Sequence, residues 1–127
     1  MTQSAVHLQR LAPTREAADE LYRRIVERAA GGDANDRLYQ LEASMDYDPN
    51  PLLDRIEAAT LAINFADDEL NPAALGTLEE GIAKVKNGRA ELLAAGPNAR
   101  GHHSALDAAL WKDELAKFLS EISISEK

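Results

Sequence analysis

The spacing of apolar residues along the chain predicts helices and no strands. The clearest stripe repeats every four positions, which is the spacing of one helix face: Ala17, Leu21, Ile25 and Ala29. Thr14 precedes this stripe as a candidate cap, and Gly31-Gly32 follows it as a helix end. A first helix is therefore predicted from Thr14 to about residue 30.

Four further helices follow from the same periodicity and from capping residues. Asp33 or Asp36 can cap a short second helix, and a third runs over 51–66 after a proline-rich turn. Asn71-Pro72 has the form of a helix start, and the heptad-like stripe behind it predicts a fourth helix over 72–95. Ser104 can cap a last helix that ends near residue 122.

These elements predict an all-α fold. We expect an antiparallel bundle of four main helices, or five if the short second helix is counted. Apolar residues make up 45% of the 127 positions, which is enough for one domain with a core. The whole chain, 1–127, is interpreted as a single helical-bundle domain whose ends, 1–12 and 123–127, are expected to fray.

Negative charge is concentrated in the middle of the chain. Residues 41–80 contain ten acidic residues and one basic residue, Arg55, so their net charge of −9 accounts for the −8 of the whole protein. Within this segment, Asp67, Asp68 and Glu69 fall where the third helix is predicted to end, and a helix C-terminus disfavours negative charge. A basic partner surface would relieve that repulsion. We therefore predict that these three acids bind a protein partner. The alternative interpretation is that the helix ends earlier and the acids belong to the loop before Asn71.

The proline-rich turn contains a second candidate site. From residue 46 to 57, oxygen-bearing side chains stand at positions 1, 3, 5, 9 and 12, and this spacing resembles an EF-hand calcium loop. The sequence departs from that loop at position 6, where Pro51 replaces the glycine that the turn requires. The alternative interpretation is an ordinary turn with capping acids. The candidate metal ligands are Asp46, Asp48, Asn50, Asp54 and Glu57.

Two adjacent histidines, His102 and His103, form the third candidate. They suggest a small enzyme or a phosphorelay-type domain, since imidazole transfers protons near neutral pH. The alternative interpretation is a pair of exposed loop histidines. The sequence contains no Gly-x-Ser-x-Gly, no phosphate-binding loop and no Glu-x-x-His pair, so no catalytic residue and no cofactor are predicted.

These observations favour a small acidic interaction or accessory protein that is not an enzyme. Its partner is expected to be a protein with a basic surface, or a second copy bound through the 72–95 helix. The acidic composition argues against direct nucleic-acid binding, and no apolar run is long enough to suggest a membrane span. The absence of cysteine fits a reducing compartment, so a cytoplasmic location is predicted.

Overall fold

The computed structural model describes residues 4–125, and their fold is mixed α/β. The chain groups into two compact units, one of residues 8–49 and one of residues 4–7 with 50–125. The prediction of an all-α helical bundle is wrong, because two segments assigned to helices pair as strands. The helical-bundle part of the domain prediction is therefore corrected, because the second unit contains a sheet, whereas a single domain over 1–127 stays a prediction.

The helices of the 8–49 unit agree with the sequence prediction. Helix α2 spans Arg15–Ala30, and the Thr14 hydroxyl oxygen accepts a hydrogen bond from the Ala17 amide at 3.2 Å. Helix α3 spans Ala34–Glu42, and Asp33 accepts from the Asn35 amide at 2.8 Å. Helix α1, Ala5–Leu11, lies in the segment that was expected to fray. Residues 1–3 at the N-terminus and residues 126–127 at the C-terminus lie outside the described part of the chain.

The predicted third helix, 51–66, is wrong. A 3₁₀ helix occupies Asn50–Arg55, and strand β1 follows at Thr60–Phe65. The Thr60 amide donates to the Asn87 carbonyl at 3.0 Å, and the Ala66 amide donates to the Leu93 carbonyl at 2.9 Å. The backbone groups of this segment are thus satisfied by a distant segment, which local periodicity does not reveal.

The predicted fourth helix, 72–95, is also wrong. A 3₁₀ helix at Ala73–Leu75 ends at Gly76, whose φ of 67° lies in the left-handed region and interrupts a continuous helix. Helix α4 is confined to Thr77–Ile82, and strand β2 occupies Gly88–Leu93. The 72–95 segment is therefore not one helix, and a homo-oligomer contact through this segment stays a prediction.

Strands β1 and β2 form a two-stranded parallel sheet. Their register runs from Thr60 opposite Gly88 to Phe65 opposite Leu93. A parallel pair requires a long crossover, and the segment containing α4 supplies it. The most buried apolar side chains among the described residues belong to this unit: Phe65, Val85 and Ala99.

The last helix, α5, spans Lys112–Ser125 and confirms only the later part of the predicted one. Two 3₁₀ helices, His103–Leu106 and Ala108–Leu110, precede it, so Ser104 does not cap an α-helix. Arg89 of β2 links α5 to the sheet, because its Nη1 lies 2.6 Å from Oε2 of Glu121. The same guanidinium lies 5.2 Å from the ring centre of Phe118, a cation–π contact.

Candidate functional site

The parallel sheet brings two loops to one edge. Because β1 and β2 run in the same direction, the segments that follow them leave the sheet at the same side. Asp67 and Asp68 follow β1, and His102 follows β2. Residues 34 positions apart in the sequence therefore meet in space.

Asp68 and His102 form a hydrogen-bonded pair. Oδ2 of Asp68 lies 3.0 Å from Nδ1 of His102. The Asp68 side chain is 5% exposed and the His102 side chain 38% exposed. The Asp68 carboxylate is thus shielded from solvent, while the His102 ring stays accessible. Catalytic triads have the same arrangement of a buried acid that orients an accessible histidine.

The turn after β1 holds the Asp68 carboxylate in place. Oδ1 accepts hydrogen bonds from the backbone amides of Leu70 at 2.8 Å and Asn71 at 3.0 Å. Burial alone raises the pKa of the Asp68 carboxyl, but the hydrogen bonds from His102, Asn71 and Leu70 and the nearby His102 charge outweigh it. The pKa of Asp68 therefore lies below its ordinary value, and the group is ionised at neutral pH.

The charge on Asp68 determines the tautomer of His102. An ionised carboxylate can only accept hydrogen bonds, so Nδ1 of the neutral ring must carry the proton and donate it to Oδ2. The other ring nitrogen, Nε2, then holds a lone pair. No hydrogen-bond partner of Nε2 is found among residues 4–125.

A second set of contacts holds the loop that carries His102. The Gly101 amide donates to Oδ2 of Asp67 at 3.0 Å, and Gly101 has a φ of 63° that favours glycine. Ser104 is fully buried, and its hydroxyl oxygen accepts from the Arg100 amide at 2.8 Å. The loop is thus fixed on both sides of His102.

A cavity of about 300 Å³ lies beside the Asp68–His102 pair, which forms part of its wall. Asn64, another wall residue, is buried and braces the turn, since its Nδ2 donates to the Asn71 carbonyl at 2.8 Å. The remaining lining residues are mainly apolar: Ile63, Phe65, Asn71, Thr77, Leu78 and Ala105. This cavity can hold a small, partly apolar group next to His102.

The structure separates the two histidines that the sequence placed together. His102 pairs with Asp68 and lines the cavity, whereas His103 is not among the lining residues. Sequence reasoning missed the pairing of Asp68 with His102. In the sequence, this pairing is indicated only by an acid that follows one apolar run and a histidine that follows another. Both runs have helical spacing, so they do not indicate strands that would bring the two residues together.

The acidic triplet does not form a uniform surface. Asp68 is buried, Asp67 is half-buried, and Glu69 is exposed. One carboxylate oxygen of Asp67, Oδ1, is buried and has no hydrogen-bond partner among the described residues. Partner binding by all three residues stays a prediction, and Glu69 has the most accessible carboxylate of the three.

The candidate calcium loop lacks the second flanking helix that its spacing implied. A 3₁₀ helix begins at Asn50, within the loop, and leads to a strand. Among residues 4–125, no group of three or more His, Cys, Asp or Glu side chains is placed to hold a metal ion. The five residues named above therefore remain a prediction from sequence alone: Asp46, Asp48, Asn50, Asp54 and Glu57.

Comparison with known proteins adds no further assignment. The chain matches no protein-family model, no curated protein and no solved structure. Within the described residues, no helix is both long enough and apolar enough to cross a membrane.

Proposed function

We propose that Asp68 and His102 are the acid–base pair of an enzyme site for hydrolysis or acyl transfer. The observation that carries this proposal is the buried Asp68 carboxylate, 3.0 Å from Nδ1 of a half-exposed His102 beside a cavity. This replaces the non-enzymatic function favoured by the sequence with its alternative, an enzyme that uses His102.

The chemistry of the pair is general base catalysis. With Nδ1–H donated to Asp68, Nε2 can take a proton from a hydroxyl group in the cavity. The hydroxyl oxygen then attacks a carbonyl carbon, and the imidazolium returns its proton to the leaving group. Asp68 keeps the ring in the required orientation and stabilises the imidazolium that forms.

The position of the pair supports the same reaction class. In α/β-hydrolase sites the acid precedes the histidine in the chain, and the nucleophile is a serine on a turn between a strand and a helix. Asp68 and His102 follow that order at the carboxyl edge of parallel strands. The sequence has no Gly-x-Ser-x-Gly, so we assign attack to water or to a substrate hydroxyl.

Hydrolysis of a series of p-nitrophenyl esters, from acetate to octanoate, tests the proposal. His102→Ala should lower turnover by about 100-fold or more, the usual contribution of a general base. His103→Ala is the matched control and should retain turnover, since His103 does not line the cavity. The proposal is wrong if the unmodified protein gives no turnover above the buffer rate, or if both variants lose it equally.

A second proposal keeps the interaction with a basic protein surface. Its support is the exposed carboxylate of Glu69, which stands beside two acids already engaged within the protein. Glu69→Gln should weaken partner capture at low salt more than at high salt, because screening reduces attraction between exposed charges. Equal capture by Glu69→Gln and the unmodified protein at both salt concentrations would contradict it.

A cytoplasmic location is likewise proposed. Its support is the absence of cysteine from the sequence, which fits a reducing compartment.

A further inference from the structure

We infer that Asp67 is a positioning residue for His102, an inference that rests on the function proposed above. Asp67 and Asp68 are neighbours on the turn after β1, and Gly101 and His102 are neighbours on the loop after β2. Asp67 accepts the backbone N–H of Gly101, and Asp68 accepts the ring N–H of His102, each at 3.0 Å. The two acids thus hold two consecutive residues of the opposite loop.

The Asp67–Gly101 and Asp68–His102 hydrogen bonds together fix the orientation of His102. Asp68 holds the His102 ring and Ser104 holds the Arg100 amide, but without an acceptor for the Gly101 amide the residue that carries the ring could still rotate, and Nε2 would move with it. The Asp67–Gly101 bond anchors the backbone one residue earlier and removes that rotation. Misplacement of a catalytic group by about 1 Å can cost about 100-fold in rate.

The contacts of the two carboxylates separate their roles. Asp68 is bonded to the His102 ring, so its loss changes both the orientation and the electrostatics of the imidazole. Asp67 reaches the loop through a backbone amide, and its other oxygen, Oδ1, has no partner among the described residues. Asp67 therefore acts through loop geometry and does not touch the His102 ring.

This difference makes a conservative substitution informative. In Asp67→Asn the amide oxygen can still accept the Gly101 N–H, and the NH₂ group takes the place of the unpartnered Oδ1. In Asp67→Ala the acceptor is lost. Asp67→Asn should therefore keep the position of the loop, whereas Asp67→Ala should release it.

Nitrogen-15 NMR of the His102 ring, with ester turnover on the same samples, tests the inference. Asp67→Ala should lose the single Nδ1-protonated form and lower kcat by about 100-fold with KM unchanged. Asp67→Asn should keep the single Nδ1-protonated form and the kcat of the unmodified protein. Asp113→Ala, which removes an exposed acid in the first turn of α5, is the control and should change neither.

The outcomes distinguish this inference from the proposed function. A wild-type ring signal in Asp67→Ala overturns the role of Asp67, whatever the turnover. An absence of ester turnover in the unmodified protein overturns the proposed function but leaves the NMR comparison intact. If Asp67→Ala does not fold, hydrogen exchange of the Gly101 amide in the unmodified protein decides: protection supports the bond to Asp67, and exchange at the unprotected rate overturns it.

Discussion

Replacing Asp68 by Asn should destabilise the protein, because its carboxylate connects three parts of the site. Oδ1 accepts from two backbone amides, and Oδ2 accepts from His102. Asn keeps an oxygen for the amides but presents an NH₂ group to Nδ1 of His102. That ring must then give up its proton on Nδ1 or lose the contact.

The expected loss in unfolding free energy at pH 7 is about 1.5–3 kcal/mol, the usual contribution of a hydrogen bond to a charged group. Because the Asp68 side chain is 5% exposed, little of this is screened by solvent. Urea unfolding followed by circular dichroism measures it. Glu69→Gln, the exposed neighbour, is the control and should stay within about 0.5 kcal/mol of the unmodified protein.

The same experiment has a pH dependence whose direction follows from the lowered pKa of Asp68. A lowered pKa in the folded state means that the ionised form stabilises the fold, fully so above the ordinary value of 3.8. That stabilisation is lost as the pH falls below 3.8 and through the folded value. The difference between Asp68→Asn and the unmodified protein should shrink over that range, and equal stability of the two proteins at pH 7 would refute the reasoning.

Two further substitutions and one control variant test the packing around the site. Gly88→Ala should cost about 1–3 kcal/mol, because a Cβ there would lie 2.8 Å from the Ile82 carbonyl oxygen, while Gly96→Ala, which has open space, should be neutral or slightly stabilising. Ser104→Ala should cost about 0.5–1.5 kcal/mol, because it removes the hydrogen bond that the part-buried Arg100 amide donates to the Ser104 hydroxyl. Thermal unfolding compares all three variants. A melting temperature of Gly88→Ala equal to that of Gly96→Ala, or an unchanged one for Ser104→Ala, would contradict these contacts.

The helices that depend on local signals could be predicted from the sequence. The start of α2 follows from Thr14 and its end from Gly31, and α3 starts at Asp33, one of the two caps that the sequence offers. Each signal acts within a few residues, so the periodicity and the caps were sufficient.

The strands depend on pairing between distant segments, which local patterns do not report. Strand β2 has the sequence GRAELL, and Arg, Ala, Glu and Leu are all good helix formers. Its strand conformation comes from pairing with β1, whose Thr60, Ile63 and Phe65 suit a strand. The preceding apolar stripe concealed that signal, because it continues through Ile63 at helical spacing.

The candidate site could be predicted only in part for the same reason. The sequence singled out Asp67, Asp68, His102 and His103, but it assigned the acids to a partner surface and the histidines to a separate site. Their meeting requires the parallel pairing of β1 with β2. In the observed fold Asp67, Asp68 and His102 form one site, and His103 lies outside it.

The protonation state of the His102 ring tests the central claim most directly. Nitrogen-15 NMR of the unmodified protein, at a pH where the ring is neutral, distinguishes the two tautomers. The account predicts a proton on Nδ1, donated to Asp68, and an unprotonated Nε2 that can act as a base. A proton on Nε2 would contradict it, because Nδ1 would then have no proton to donate to Asp68 and Nε2 could not act as a base.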